Sequence, residues 1–166
     1  MPLTVLIKLK EKRPLDITVR EWPQILRESH EEVGRFWHEK ILPRHFGPGA
    51  ERVYHYRRRT KKYRDYKAES GHGTVDLVWS GTLQTSLTEH ATVKGFPSRV
   101  RVEMNGPKYI PKRPRTNKQP PLYEEVTRVT KTERKELAAI LKQAILRRIT
   151  AKRGWVGAGG YTHEAN

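Results

Sequence analysis

The sequence predicts an α+β fold: an antiparallel sheet packed by two main helices, with long extended basic arms or loops. Three observations predict it. Short stretches alternate apolar and polar residues with the period of a half-buried strand, at Thr4 to Lys10 and again at Arg99 to Met104. Two longer stretches place apolar residues three and four apart, from Trp22 to about Ile41 and from Leu137 to Ile149. Between them lie segments dense in Arg, Lys, Tyr and Pro that follow neither period.

In the first strand Val5, Ile7 and Leu9 share one face, with Lys8 and Lys10 on the other. Leu15, Ile17 and Val19 repeat the alternation. Thr18 and Glu21 have the spacing of a capping box, while Pro23 puts the helix start slightly later, since proline suits only a first turn. Trp22, Ile25, Leu26, Ser29, Val33, Phe36 and Trp37 then line one helix face, and Arg27, Glu28, Glu31, Glu32, Arg35 and Glu39 the other. Pro43 is expected to stop this helix.

Gly47, Pro48 and Gly49 break the chain, and Arg52 to Lys67 then packs eight Lys or Arg and four Tyr into sixteen positions. No apolar face emerges, so residues 52–73 read as a basic, Tyr-rich arm that depends on partners for order. Thr74 to Trp79 is a further strand candidate, and Thr82 to Leu87 one helical turn after Ser80-Gly81. His90 to Lys94 and Arg99 to Met104 form a hairpin around Gly95-Phe96-Pro97-Ser98, with Val100 and Val102 facing the core. Pro107, Pro111, Pro114, Pro120 and Pro121 make residues 107–121 a basic loop without regular structure. Thr130 and Glu133 cap a last helix in which Leu137, Ile140, Leu141, Ala144, Ile145 and Ile149 share a face. Residues 1–153 are thus one domain with the arm and the loop inserted, and 154–166 a Gly-rich flexible or docking tail.

Net charge is +16, which favours an anionic partner such as nucleic acid, an acidic protein surface or a lipid headgroup layer. The charge is uneven. Residues 1–50 hold nine basic and seven acidic side chains, residues 51–121 sixteen and six, and residues 122–166 nine and five. There is no cysteine, which excludes disulfides, thiolate metal sites and cysteine nucleophiles. The apolar run Leu3 to Leu9 is broken by Lys8 and too short for a signal-peptide core or a membrane span, so no membrane association is expected.

Catalytic spacing is missing. Ser29-His30-Glu31-Glu32 opens like a zinc-protease helix, but Gly34 stands where the second histidine is needed. His38 and His45 are separated by Pro43 and lack a third ligand at a matching spacing, so no metal or other cofactor is expected. Glu28, Glu31, Glu32 and Glu39 cluster as a solvated helix face rather than as a nuclease centre. The chain reads as a non-enzyme. In the basic arm Tyr54, Tyr56 and Tyr63 interleave with Arg52, Arg57, Arg58, Arg59, Lys61, Lys62 and Arg64, a composition that suits stacking on bases, neutralising phosphates or docking on protein. Lys112, Arg113 and Arg115 in the proline-rich loop are candidates for the same contacts.

Several segments together resemble the phage virion morphogenesis family, the tail-completion and head-to-tail joining proteins of tailed bacteriophages. They are Phe36-Trp37-His38, Leu42-Pro43-Arg44-His45-Phe46, Tyr54-His55-Tyr56-Arg57 with Tyr63 and Lys67, and Leu77-Val78-Trp79-Ser80-Gly81-Thr82-Leu83. The last runs from Glu124-Glu125 to Thr130 and the helix containing Glu133-Arg134. The resemblance covers roughly residues 20 to 150, with Trp37, His45, Phe46, Trp79, Gly81 and Leu83 as its core positions. It implies a non-catalytic subunit of a hexameric or dodecameric ring in the virion neck, bound to portal, adaptor or tail proteins around the DNA channel. The proline-rich loop and Gly-rich tail depart from that pattern. A ribosome-associated or other basic RNA-binding protein is the alternative that the charge supports equally.

Overall fold

β1 (Pro2–Ile7) forms because its alternation buries Val5 and Ile7 on one side and leaves Leu6 exposed on the other. The computed structural model describes residues 2–8, 18–57, 59–72, 77, 81–107 and 122–157. The predicted hairpin is present as β2 (Ala91–Phe96) and β3 (Arg99–Asn105), joined by a turn at Pro97 and Ser98. β3 lies between the other two strands, antiparallel to both, with Val5 and Val93 flanking Val102. Val100, Val102 and Met104 are buried, as their alternation requires. The fold is α+β, an antiparallel sheet with helices packed against it.

α1 (Trp22–Phe36) begins later than the capping-box spacing alone would put it, with Glu21 as its N-cap, as Pro23 requires. The Thr18 hydroxyl accepts from the Glu21 amide at 3.2 Å and donates to the Glu21 carboxylate at 2.7 Å, and Pro23 falls in the first turn. Ile25, Leu26, Ser29, His30 and Val33 are buried on the face that crosses β2 and β3. Two glycines permit that close crossing. A Cβ on Gly95 would sit 1.9 Å from the Arg27 carbonyl oxygen, and one on Gly34 2.5 Å from a Val100 methyl. Val19 lies in the turn before α1 and is exposed, so the predicted alternation does not continue as a strand there; Leu15 and Ile17 fall outside the described residues.

Pro43 does not stop the helical path. A π turn at Trp37–Ile41 widens it, and a 3-10 turn at Leu42–Phe46 follows. The proline ring clashes with the fourth preceding carbonyl only inside a regular α-helix; here Pro43 occupies the first turn of a new, tighter helix. Trp37, Ile41, Leu42, His45 and Phe46 are all buried along this stretch.

The basic arm also departs from expectation. α2 (Ala50–Val53) and α3 (Lys61–Glu69) give it regular structure, and Tyr54 and Tyr56 between them belong to the core. Periodicity misses this because the burial is made by tyrosines on either side of a turn at His55, whose φ of 52° is left-handed. α4 (Thr82–Thr88) starts at Gly81, whose φ of 78° suits glycine, and buries Leu83 and Leu87. The strand proposed at Thr74 to Trp79 lies outside the described residues apart from Leu77, which is buried.

α5 (Leu122–Thr127) leads into α6 (Lys131–Gly157), which packs along α1. Thr130 and Glu133 close the predicted capping box: the Thr130 hydroxyl accepts from the Glu133 amide at 3.2 Å, and the Glu133 carboxylate from the Thr130 amide at 2.9 Å. Leu137, Leu141, Ala144, Ile145 and Ile149 are buried, and Ile140 is partly so. α6 runs to Gly157, past the boundary expected at 153, because a single glycine weakens a helix without ending it. The loop from residue 108 to 121, with Lys112, Arg113 and Arg115, and the tail from 158 lie outside the described residues.

Candidate functional site

Segments far apart in sequence meet around His45. The 3-10 turn buries its imidazole, which stacks on Tyr54 with ring centroids 3.7 Å apart and planes 15° from parallel. Tyr56 stacks beyond, 5.8 Å from Tyr54, and its hydroxyl lies 2.7 Å from His45 Nδ1 while donating to the His45 carbonyl at 3.3 Å. The Tyr54 hydroxyl donates to the Glu133 carboxylate at 2.6 Å, so the capping box of α6 also anchors the tyrosine stack. Arg44, one residue before His45, holds Glu136 in a two-point contact of 2.8 and 3.0 Å.

A second buried carboxylate fixes the start of the arm. Glu125 of α5 accepts from the Arg57 amide at 2.8 Å and is gripped by Arg59 at 3.2 and 2.6 Å, with both side chains out of solvent. Arg128 donates from one nitrogen to the carbonyls of Tyr54 and His55, both at 2.6 Å, which stabilises the left-handed turn at His55.

Burial decides the protonation states. Desolvation pushes His45 down to about 4, against the opposing pull of the Glu133 charge and of the Glu125 and Arg128 carbonyls, which come near without closing a hydrogen bond to Nε2. Desolvation pushes Tyr54 and Tyr56 well above the usual phenol range, and at Tyr54 the bond to the Glu133 carboxylate acts in the same direction. Arg44 holds Glu136 below the usual carboxylate range. At neutral pH the stack is therefore a neutral imidazole beside two neutral phenols. A phenol this hard to ionise is a poor nucleophile, and an imidazole this hard to protonate a poor acid, so the arrangement suits cohesion rather than proton transfer.

The predicted residues divide sharply. Trp37, His45, Phe46 and Leu83 are buried, and Gly81 sets a turn. Tyr54 and Tyr56 were expected as contacts for nucleic acid or a partner, and are instead interior stacking residues with bonded hydroxyls; Arg59 is committed to Glu125. Their composition matches that of a surface site because tyrosine and arginine can be buried when each polar tip finds a partner. Arg52, Arg57, Lys61, Lys62, Tyr63 and Arg64 are exposed. Arg58 and Trp79 lie outside the described residues.

Sequence reasoning missed Arg44, Glu125, Arg128 and Glu133 as members of one site. The only available signal was that all four fall inside the stretches that carry the family resemblance. In the π turn seven residues before His45, His38 and Glu39 join Glu89, His90 and Glu103 in lining a cleft of about 470 Å3, in which His38 Nε2 contacts the Leu87 carbonyl at 2.9 Å. Among the described residues no group of three or more His, Asp or Glu side chains is placed to hold a metal, and no helix is long and apolar enough to cross a membrane. Comparisons with family models, with curated proteins and with solved structures find no match to this chain.

Proposed function

We propose that this chain is a structural, non-catalytic subunit of a bacteriophage neck, a tail-completion or head-to-tail joining protein that assembles as a ring and resides in the virion. One observation carries the reading. Leu42 to Phe46, Tyr54 to Arg57, Glu125 and Glu133 come from separate stretches of the family resemblance, and they converge on a single buried network. Residues scattered along a motif pattern are explained either by a catalytic centre or by a fold-defining core. Here the tyrosine hydroxyls and the buried carboxylates are spent on one another and His45, Tyr54 and Tyr56 are held neutral, which supports the second.

The reading is tested by imaging the purified protein, alone and with portal or adaptor proteins, by negative-stain electron microscopy. Closed rings of uniform diameter are expected. A protein that stays monomeric in every mixture and binds ribosomal RNA tightly would overturn it in favour of the RNA-binding alternative, which the exposed Lys61, Lys62 and Arg64 also favour.

A further inference from the structure

α3 is anchored at its N-terminal end and exposes most of its length. Thr60 caps it through the Tyr63 amide at 3.3 Å, and the buried Arg59–Glu125 pair immediately before it anchors its N-terminal end to α5. Of its nine residues only Lys67 is buried. Nine residues are too few to hold a helix by propensity alone, and this one has no apolar face to dock. What it presents instead is Lys61, Lys62 and Arg64 with the partly exposed rings of Tyr63 and Tyr66.

The cations of α3 differ from the cations of α6 that face α1. On α6, Arg148 contacts Glu28 and Glu32 at 3.2 and 3.0 Å, Lys152 contacts Glu21 at 3.1 Å, and Arg147 pairs with Glu32. Those charges are absorbed by the acidic face of α1. Lys61, Lys62 and Arg64 make no ion pair among the described residues, although Asp65 and Glu69 share their helix. The helix carries no Asn or Gln, the side chains that read adenine edges, and its Lys and Arg side chains can each reach a phosphate.

We infer that the exposed face of α3 binds the phosphate backbone of double-stranded DNA without sequence preference, with Lys61, Lys62 and Arg64 neutralising phosphates. The choice of duplex DNA rests on the neck reading above; the location on α3 rests on charge, exposure and anchoring. Buried Arg59 acts as a positioning residue, setting the direction in which α3 projects.

The test is fluorescence anisotropy of the full-length protein with a labelled random-sequence DNA duplex, the matching single strand and an RNA duplex, across a range of salt. Wild type is expected to favour the DNA duplex. The triple variant K61A/K62A/R64A is expected to lose about tenfold or more in affinity, and its salt slope to fall by about three, one per phosphate contact. The equally discharged K131A/K135A/K142A, altered at exposed positions of α6, is expected to lose much less. Equal losses in the two triples would mean a diffuse field and overturn the inference, as would a preference for single strands or RNA, or no binding at all. Circular dichroism checks that both variants are folded.

Imaging separates this inference from the neck reading. Rings that persist in K61A/K62A/R64A while DNA binding is lost support both. Loss of rings with DNA binding intact makes α3 a subunit contact and overturns the inference alone. Absence of rings in wild type with the α3-dependent DNA binding intact leaves the inference standing and removes the neck reading.

Discussion

Tyr54 and Tyr56 are 1% and 7% exposed, whereas Tyr63 and Tyr66, slightly further along the same basic segment, are 38% and 59% exposed. Their neighbours are alike: arginines and lysines surround both pairs. What differs is what faces them. The first pair meets His45, Glu133 and the Arg128-braced turn, so each ring is stacked and each hydroxyl bonded. Beyond Thr60, Lys67 is the one buried residue of the helix. One composition thus serves as core where carboxylates come from across the fold, and as surface where the rings stay exposed.

Breaking the anchor between the two halves is expected to have the largest effect. Glu125→Gln removes the charge that Arg59 and the Arg57 amide rely on, leaving a buried guanidinium uncompensated. The expected loss is about 3–5 kcal/mol of folding stability, read from the urea midpoint at constant m-value.

Acid should break the buried half next. The His45 pKa is depressed from 6.5 to about 4 on folding, so the unfolded chain binds the proton first. Its contribution is fully present above pH 6.5 and is lost as pH falls towards 4, on the order of 3 kcal/mol across that window. Glu136, whose pKa is lowered from 4.5, adds its own loss only at lower pH. Stability of His45→Gln measured from pH 7 to 4.5 should be flatter than wild type; parallel curves would show that His45 is not the titrating group.

Much of the scaffold was legible in sequence because its rules are local. The alternation of Val100, Val102 and Met104, the Thr130–Glu133 capping box and the spacing of Leu137, Leu141 and Ile145 all act within one element. The interior site was not legible, because its pairs are long-range. Arg59 meets Glu125 and Tyr54 meets Glu133 across most of the domain, and a tyrosine beside arginines looks the same in sequence whether its hydroxyl finds a carboxylate or water. Pro43 misled for the reverse reason: a local breaker was accommodated by a change of helix type that the sequence pattern does not announce.

The tyrosines themselves give a smaller and more direct contrast. Tyr54→Phe deletes the 2.6 Å bond to Glu133 while keeping the stack on His45, and should cost about 1.5–3 kcal/mol, as hydrogen bonds to charged groups do. Tyr66→Phe, at an exposed position of α3, should stay within about 0.5 kcal/mol of wild type. Equal costs for the two would mean that α3 packs far more tightly than its exposure indicates.

The smallest change is expected from the most conspicuous charges. K61A/K62A/R64A removes three cations that contact no acid among the described residues, from a chain of net charge +16. Alanine is a better helix former than lysine or arginine by only a few tenths of a kcal/mol per residue, and relief of self-repulsion acts in the same direction. Stability should therefore hold within about 0.5 kcal/mol or rise slightly, most visibly at low salt where repulsion is least screened. A loss of more than about 1 kcal/mol would mean that these side chains hold the domain together, and that the line drawn at Thr60 between core and binding surface is in the wrong place.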